Sequence, residues 1–249
     1  MAERQFKVDE VAAGTWRIND GLANFYLRKE RTSALVIDAG CRRSARGLAK
    51  ALRLANLAVS DVVAVLLTHS HIDHVGIAER LHRRSDAAIY LHPDDNAMAF
   101  CATPGFLGGI KTRLGMDWGL KVAWGLFRGG CLPYPVISDL TAVTDGEVLD
   151  LPGRPRVIWM PGHTLGSCAF LFEGISTLFT GDALVTAADR DGTVRCLASP
   201  AAYDDDPALA LESVDRLADV QAGLILPGHG PDFSEGVAVA VAQARATGV

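Results

Sequence analysis

The sequence predicts an α/β fold built as one domain over residues 1–249. Three observations predict it. Segments of strand character alternate with segments of helical period, the signature of β-α-β units. A continuous apolar run, "VVAVLL", leads straight into "THSHIDHVG", as expected of a strand buried on both faces that ends at a functional loop. Three later strand-like segments each end in a glycine followed by a histidine or aspartate.

The elements follow in order. "GTWRIN", "ANFYLRK" and "SALVIDAG" are short, β-branched or aromatic, and bounded by Gly or Asp, so they read as strands. "RRSARGLAKALRLANL" has apolar residues at helical spacing. "VVAVLLTH" is the buried strand, "HVGIAERLHRR" a helix and "AAIYLH" a further strand. Arg83 and Arg84 fall in the last turn of that helix, where cations offset the helix dipole. Residues 93–134 break the rhythm: they are Gly-rich, aromatic and only weakly helical, and are expected to form a helical insertion. Strands return in "VISDLTAV", "EVLDLPG", "RVIWMPGH", "SCAFLFEG" and "STLFTGD". The helix "DPALALESVDRLADV", the strand "GLILPGHG" and the helix "SEGVAVAVAQARA" close the chain. No linker or low-complexity tract divides it.

Composition removes several classes of function. The 249 residues are 49% hydrophobic with a formal charge of -5, which leaves no electrostatic footprint for nucleic acid. No apolar run reaches the length of a membrane span. The first ten residues, "MAERQFKVDE", lack the apolar stretch of an export signal, so a cytoplasmic protein is expected. The five cysteines (Cys41, Cys101, Cys131, Cys168 and Cys196) are widely spaced and form no C-x-x-C pair. They read as reduced, buried small hydrophobes.

The chemistry is concentrated in His69, His71, Asp73 and His74. Three of the seven histidines lie within six residues, and imidazole with carboxylate is the donor set of a zinc-type metal. Three crowded imidazoles repel one another when protonated. A metal removes that repulsion by requiring neutral nitrogen donors. His69 and His71 can project to one side of extended chain, while Asp73 and His74 on the following turn face a second point. One segment can therefore contribute to two adjacent metals but cannot complete either. His163 in "PGHT", Asp182 in "TGD" and His229 in "PGHG" are the candidates for the missing donors, each after a strand and a glycine. His82 and His92 lack this context and are expected to be surface or structural residues.

These motifs resemble those of the metallo-β-lactamase superfamily. "THSHIDHVG" looks like its H-x-H-x-D-H signature, and "PGHT", "TGD" and "PGHG" follow in the family order, from Asp38 to His229. The resemblance implies an α/β four-layer αββα sandwich with the metals at one edge of two sheets. It implies that His69, His71 and His163 bind one metal and Asp73, His74 and His229 a second, with Asp182 bridging both. Two divalent ions are implied, zinc first, with iron or manganese also accepted by such donors. Asp38 matches a family position that supports the ligand loop; the alternative is an ordinary strand-end turn residue. The implied activity is hydrolysis through a water activated between the metals, with Asp182 holding the pair and Asp73 orienting the water or shuttling a proton.

Departures from known branches narrow the substrate. Asp182 stands where one β-lactamase subclass has cysteine, and about 20 residues after His229 leave no room for the glutathione-binding extension of glyoxalase II enzymes. The expectation is a small-molecule substrate bearing an ester, thioester or lactone. A β-lactam hydrolase and a metal-stabilised metabolite-binding protein are the alternatives. The 93–134 insertion is either a lid over the substrate or a packing and homodimer contact. As a lid, Trp118, Trp124, Phe100, Phe106 and Phe127 would line an apolar pocket, and Lys111, Arg113, Lys121 and Arg128 would meet an anionic acyl-carrier thioester. Tyr203 is a candidate hydrogen-bond donor to substrate oxygen.

Overall fold

The structure is a computed structural model, and it describes residues 6–95 and 136–247. The described residues group into two compact units, one of residues 6–91 and 136–141, the other of 92–95 and 142–247. The insertion expected at 93–134, with Trp118 and Trp124, falls almost wholly outside the described residues, beginning at position 96.

The first unit is a sheet in sequence order. β1 (Lys7–Ala12), β2 (Thr15–Asn19), β3 (Asn24–Glu30) and β4 (Ser33–Ile37) form an antiparallel meander. β5 (Val62–Leu66) and β6 (Ala88–Leu91) then add parallel to β4. Parallel neighbours need crossover helices, supplied here by α1 (Ala45–Leu54) and α2 (Ala78–Ser85). α1 buries Leu48, Ala51 and Leu52, and its Gly47 permits close approach: a Cβ there would lie 2.5 Å from Ile18 Cγ2. α2 ends on Asp86 in the left-handed region, with Arg83 and Arg84 in its last turn as expected. β5 is buried at four of five positions, and Ile18, Phe25, Leu27, Val36, Val65 and Leu67 centre the core.

The second unit holds a four-stranded sheet. β8 (Arg156–Trp159), β9 (Cys168–Phe172) and β10 (Thr177–Gly181) are antiparallel, and β13 (Leu224–Pro227) pairs parallel with β10. The strand order is therefore β13-β10-β9-β8. α3 (Pro207–Ser213) lies in the crossover to β13. Its N-cap Asp206 accepts from Leu209 N–H, and Pro207 occupies the first turn, where a missing N–H costs nothing. α4 (Val237–Thr247) packs on the hairpin of β11 (Leu184–Ala188) and β12 (Val194–Ala198), and Gln243 Oε1 accepts the Cys196 N–H.

Several boundaries differ from expectation. "VISDLTAV" yields only the two-residue β7 (Thr141–Ala142), and "EVLDLPG" only a single bridge, Val148 to Arg156. The helix expected over 206–220 is α-helical to Ser213 and tightens to a 3-10 turn over Val214–Leu217. Strand β1 and the β11–β12 hairpin were not expected. The hairpin turn carries Asp191-Gly192, with Gly192 at φ 88°. Such a pair is a strong turn signal between strands, but β11 ends in exposed Ala187 and Ala188 and β12 carries the exposed Arg195, which dilutes the apolar alternation that would have revealed them.

Cys168 and Cys196 are free and buried, as expected. Cys41 is disulfide-bonded, which corrects the reading of all five cysteines as reduced thiols. Disulfide formation requires Cα atoms within about 7 Å, a property of the fold that spacing along the chain does not reveal. Burial pushes the Cys168 thiol well above its ordinary range and that of Cys196 up to about 12. The thiolate is the reactive form. At pH 8, both should therefore resist iodoacetamide in the native protein and be alkylated in guanidinium, as read by mass spectrometry of the two peptides. Rapid native alkylation would contradict their burial.

Candidate metal centre

In the first unit, β5 carries the chain to Thr68 and into the histidine loop. Asp38, at the end of β4, anchors that loop. Its backbone sits at φ 58°, a left-handed conformation that Asp tolerates better than most residues. Its N–H donates to Leu66 O at 2.8 Å, and its Oδ1 accepts the Thr68 N–H at 2.8 Å. Thr68 Oγ1 lies 3.0 Å from each Asp38 oxygen and 3.0 Å from His69 Nδ1. The hydroxyl donates to the carboxylate, which leaves it to accept from His69 Nδ1–H. His74 Nδ1 lies 2.9 Å from Asp38 Oδ2 and donates to it in the same way. In both rings the proton is thereby on Nδ1 and the lone pair on Nε2, the arrangement of a metal-ligating histidine oriented by an oxygen acceptor.

The turn after Asp38 supports the loop through backbone. Ala39 N–H donates to His74 O at 2.5 Å, and Gly76 N–H to Gly40 O at 2.6 Å. A Cβ on Gly76 would lie 2.3 Å from the Cys41 carbonyl carbon, so only glycine fits. His69, His71 and His74 are buried and Asp73 is half-buried. The rings of His69 and His71 meet edge-on at 4.6 Å, and those of His69 and His74 lie 4.2 Å apart. His69 and His71 offer ligand atoms within 4.8 Å of one another, and Asp73 and His74 do likewise.

The second unit gathers the other three predicted ligands. His163 follows β8 through Pro161-Gly162. Gly162 has φ 130°, and a Cβ on it would lie 2.1 Å from Ala210 N in α3. Asp182 follows Gly181 at the end of β10, and His229 follows β13, where Gly228 N–H donates to Gly181 O at 2.7 Å. Asp182 Oδ2 lies 3.4 Å from His163 Nε2 and 3.2 Å from His229 Nε2. Tetrahedral zinc with bonds of about 2.0–2.2 Å has ligand–ligand edges of about 3.3–3.6 Å, close to both distances. On its other side, His163 Nδ1 lies 2.9 Å from Asp204 Oδ1 and 2.8 Å from Ser199 Oγ.

The donor chemistry fits a divalent ion. With Nδ1–H donated to Asp204, His163 Nε2 and Asp182 Oδ2 are two buried acceptors 3.4 Å apart. Something positive must lie between them, either a proton or a metal ion.

Asp38 proves to be the anchor of the ligand loop rather than an ordinary turn residue. His82 is structural, its Nδ1–H donating to Ala87 O at 3.1 Å, and His92 stacks on Trp159 at 5.5 Å. Tyr203 is half-buried and donates its backbone N–H to Pro200 O in a turn. Asp204, Ser199 and Thr186 were missed in the sequence. Thr186 in β11 receives the His229 loop: its N–H donates to His229 O at 3.1 Å and its hydroxyl to Pro231 O at 2.5 Å. Asp204 sits in "YDDDP", where three consecutive aspartates are indistinguishable until the fold buries one and caps α3 with another.

Residues 18–229 match the family model described as the metallo-beta-lactamase superfamily. The chain belongs to the metallo-β-lactamase superfamily. Its mixed α/β architecture is that fold, and its His/Asp groups are of the type that holds divalent metal in such metallo-hydrolases. It is 28% identical over 240 residues to the probable metallo-hydrolase YflN of Bacillus subtilis strain 168, covering 89% of this chain and 85% of the relative. It resembles the metallo-beta-lactamase family protein TTHA1429 of Thermus thermophilus at TM-score 0.66 and 25% identity, over 96% of this chain and 80% of that one. TTHA1623, solved in a di-iron-bound form, matches at TM-score 0.58 and 27% identity, over 90% and 95%. Among the described residues no helix is long and apolar enough to cross a membrane.

Asp38→Ala should remove the acceptor of the Thr68 N–H and His74 Nδ1–H in buried surroundings. Each orphaned donor costs about 1–3 kcal/mol. The metal-free variant should therefore lose about 2–5 kcal/mol in urea unfolding, and Asp38→Asn, which keeps one acceptor oxygen and the left-handed backbone, about half of that. An unchanged midpoint for Asp38→Ala would remove Asp38 from this anchoring role.

Proposed function

We propose that this superfamily member is a dinuclear metal-dependent hydrolase of a small-molecule ester, thioester or lactone, with both compact units contributing to one functional domain. The observation that carries the reading is the acceptor-to-acceptor approach of Asp182 to His163 in the second unit, with the first unit holding the protons of His69 and His74 on Nδ1. In this reading His69, His71 and His163 hold one cation, Asp73, His74 and His229 hold the other, and Asp182 joins both. The motif order shared with the superfamily supports that division. Zinc is the first expectation. Iron is the leading alternative, supported by the di-iron form of TTHA1623, and manganese suits the same donors.

When bound, such a pair of ions supplies an activated water at neutral pH and polarises the oxygen that becomes negative. The protein residues do the rest. Asp38 and Thr68 hold the histidine loop at a fixed angle. Asp73, half-buried, is the candidate residue to orient the water or shuttle a proton. Tyr203 remains the candidate donor to substrate oxygen. Trp118 and Trp124, with the cations of the same segment, remain the candidate contacts to an acyl group and an anionic carrier. The acidic composition accords with the lack of a nucleic-acid partner; the cytoplasmic reading has the Cys41 disulfide weighing against it, and a homodimer through that segment is the alternative to a lid.

The test is metal analysis of the native protein coupled to a panel of acyl-thioester, lactone and β-lactam substrates. About two equivalents of zinc, iron or manganese are expected, with turnover of a thioester or lactone abolished by chelation and restored by the metal. His71→Ala and Asp182→Ala should each lower bound metal by one equivalent or more and reduce kcat/KM by at least ~100-fold, the scale of losing an electrostatic stabiliser. Full activity in metal-stripped protein would refute the proposal. Turnover confined to the β-lactam would move the substrate class, and metal without any turnover would favour a metabolite-binding protein.

A further inference from the structure

We propose that Asp204 is a positioning residue that selects the ligating tautomer of His163, an inference that rests on the assignment of His163 as a metal ligand. The loop between β12 and α3 meets His163 at its ring Nδ1 and at its backbone carbonyl. Ser199 Oγ and Asp204 Oδ1 both reach its Nδ1, at 2.8 and 2.9 Å. The Asp205 N–H donates to the His163 carbonyl at 3.1 Å, and the Asp206 N–H donates to Gly162 O at 2.9 Å. Ser213 Oγ donates to Pro161 O at 2.6 Å and completes the cradle.

Asp204 is fully buried and Ser199 nearly so. A buried carboxylate is costly unless donors surround it, so Asp204 draws the ring proton to Nδ1. One N–H cannot point straight at two acceptors. The bond to the carboxylate is the charge-assisted and stronger one, which leaves Ser199 as the weaker limb. The serine differs from the aspartate in one decisive respect: its hydroxyl can donate as well as accept. Without Asp204, Ser199 O–H can donate to Nδ1 and drive the ring proton to Nε2. That nitrogen faces Asp182 at 3.4 Å, and once protonated it cannot bind a metal. Asp204 therefore does more than pack the loop; it prevents the neighbouring serine from imposing the wrong tautomer.

The experiment uses the full chain and two readouts. Histidine 15N spectra of metal-free protein report the tautomer, and chelator competition with zinc reports affinity. In the wild type, His163 should show a protonated Nδ1. Asp204→Ala should shift it toward a protonated Nε2 and weaken at least one zinc equivalent by about 10–100-fold, the usual effect of losing a partner behind a metal-bound histidine. Adding Ser199→Ala to Asp204→Ala should recover part of the affinity, which a purely structural role would not allow. Should Asp204→Ala fail to fold, Asp204→Asn carries the comparison: one acceptor oxygen remains, and a loss under about 10-fold with retained Nδ1–H is expected. A wild type that binds no zinc refutes the metal reading while leaving the tautomer measurement intact. A wild type that binds zinc, with Asp204 variants equal to it in both tautomer and affinity, overturns this inference alone.

Discussion

The ligand loops depend on one recurring interaction: a buried imidazole donates its Nδ1–H to an oxygen that the fold places behind it. Asp38 does this for His74, Thr68 for His69, and Asp204 for His163. The effect is chemical as well as geometric. A neutral histidine has one donor and one acceptor nitrogen, and fixing the donor fixes which nitrogen carries the lone pair. With the proton on Nδ1, each ring turns its Nε2 lone pair away from that oxygen, the orientation a metal-ligating histidine needs.

That orientation requires backbone strain and close contact. Asp38 occupies φ 58°, where its carboxylate meets Thr68 and His74 while its N–H still completes the sheet edge at Leu66. Gly76, Gly162 and Gly230 each stand where a Cβ would fall within 2.3 Å of another backbone atom. A side chain at any of these positions would push a ligand loop away from the element behind it. The second unit repeats the device with other parts: α3 backs the His163 loop, and strand β11 backs the His229 loop through Thr186.

Much of this was legible in the sequence, for physical reasons. The histidine cluster and the three strand-glycine-ligand motifs are local, since a ligand must follow a strand end and the turn must be tight. The β-α-β alternation of residues 33–91 was legible because buried parallel strands are continuous apolar runs. The supports were harder to read. Asp204 reaches His163 across 41 positions and Ser199 across 36, and nothing in "SPAAYDDDP" marks which aspartate will be buried. Thr68 was visible as a neighbour but not as the relay between His69 and Asp38. The β11–β12 hairpin escaped because β11 ends in two exposed alanines and β12 carries an exposed arginine, although Asp191-Gly192 announced the turn. Conversely, "VISDLTAV" has the composition of a strand yet pairs over only two residues, because composition does not supply a partner.

The buried carboxylates divide the labour, and that division explains the chemistry better than the ligand count does. Asp38 faces a backbone N–H, a hydroxyl and an Nδ1–H, and Asp204 faces the Nδ1 of His163, so both orient an imidazole. Asp182 faces the Nε2 edge of His163 at 3.4 Å, where the proton has already been committed to Asp204 on the far side of the ring. Two acceptors at that distance in a low-dielectric interior repel unless a positive centre lies between them. A proton on Nε2 would serve, giving an imidazolium between two carboxylates. A divalent ion satisfies both groups and leaves the Nδ1–H tautomer in place. The hydrogen bond to Asp204 therefore leaves Nε2 as the nitrogen that meets Asp182, the position at which a metal would be held.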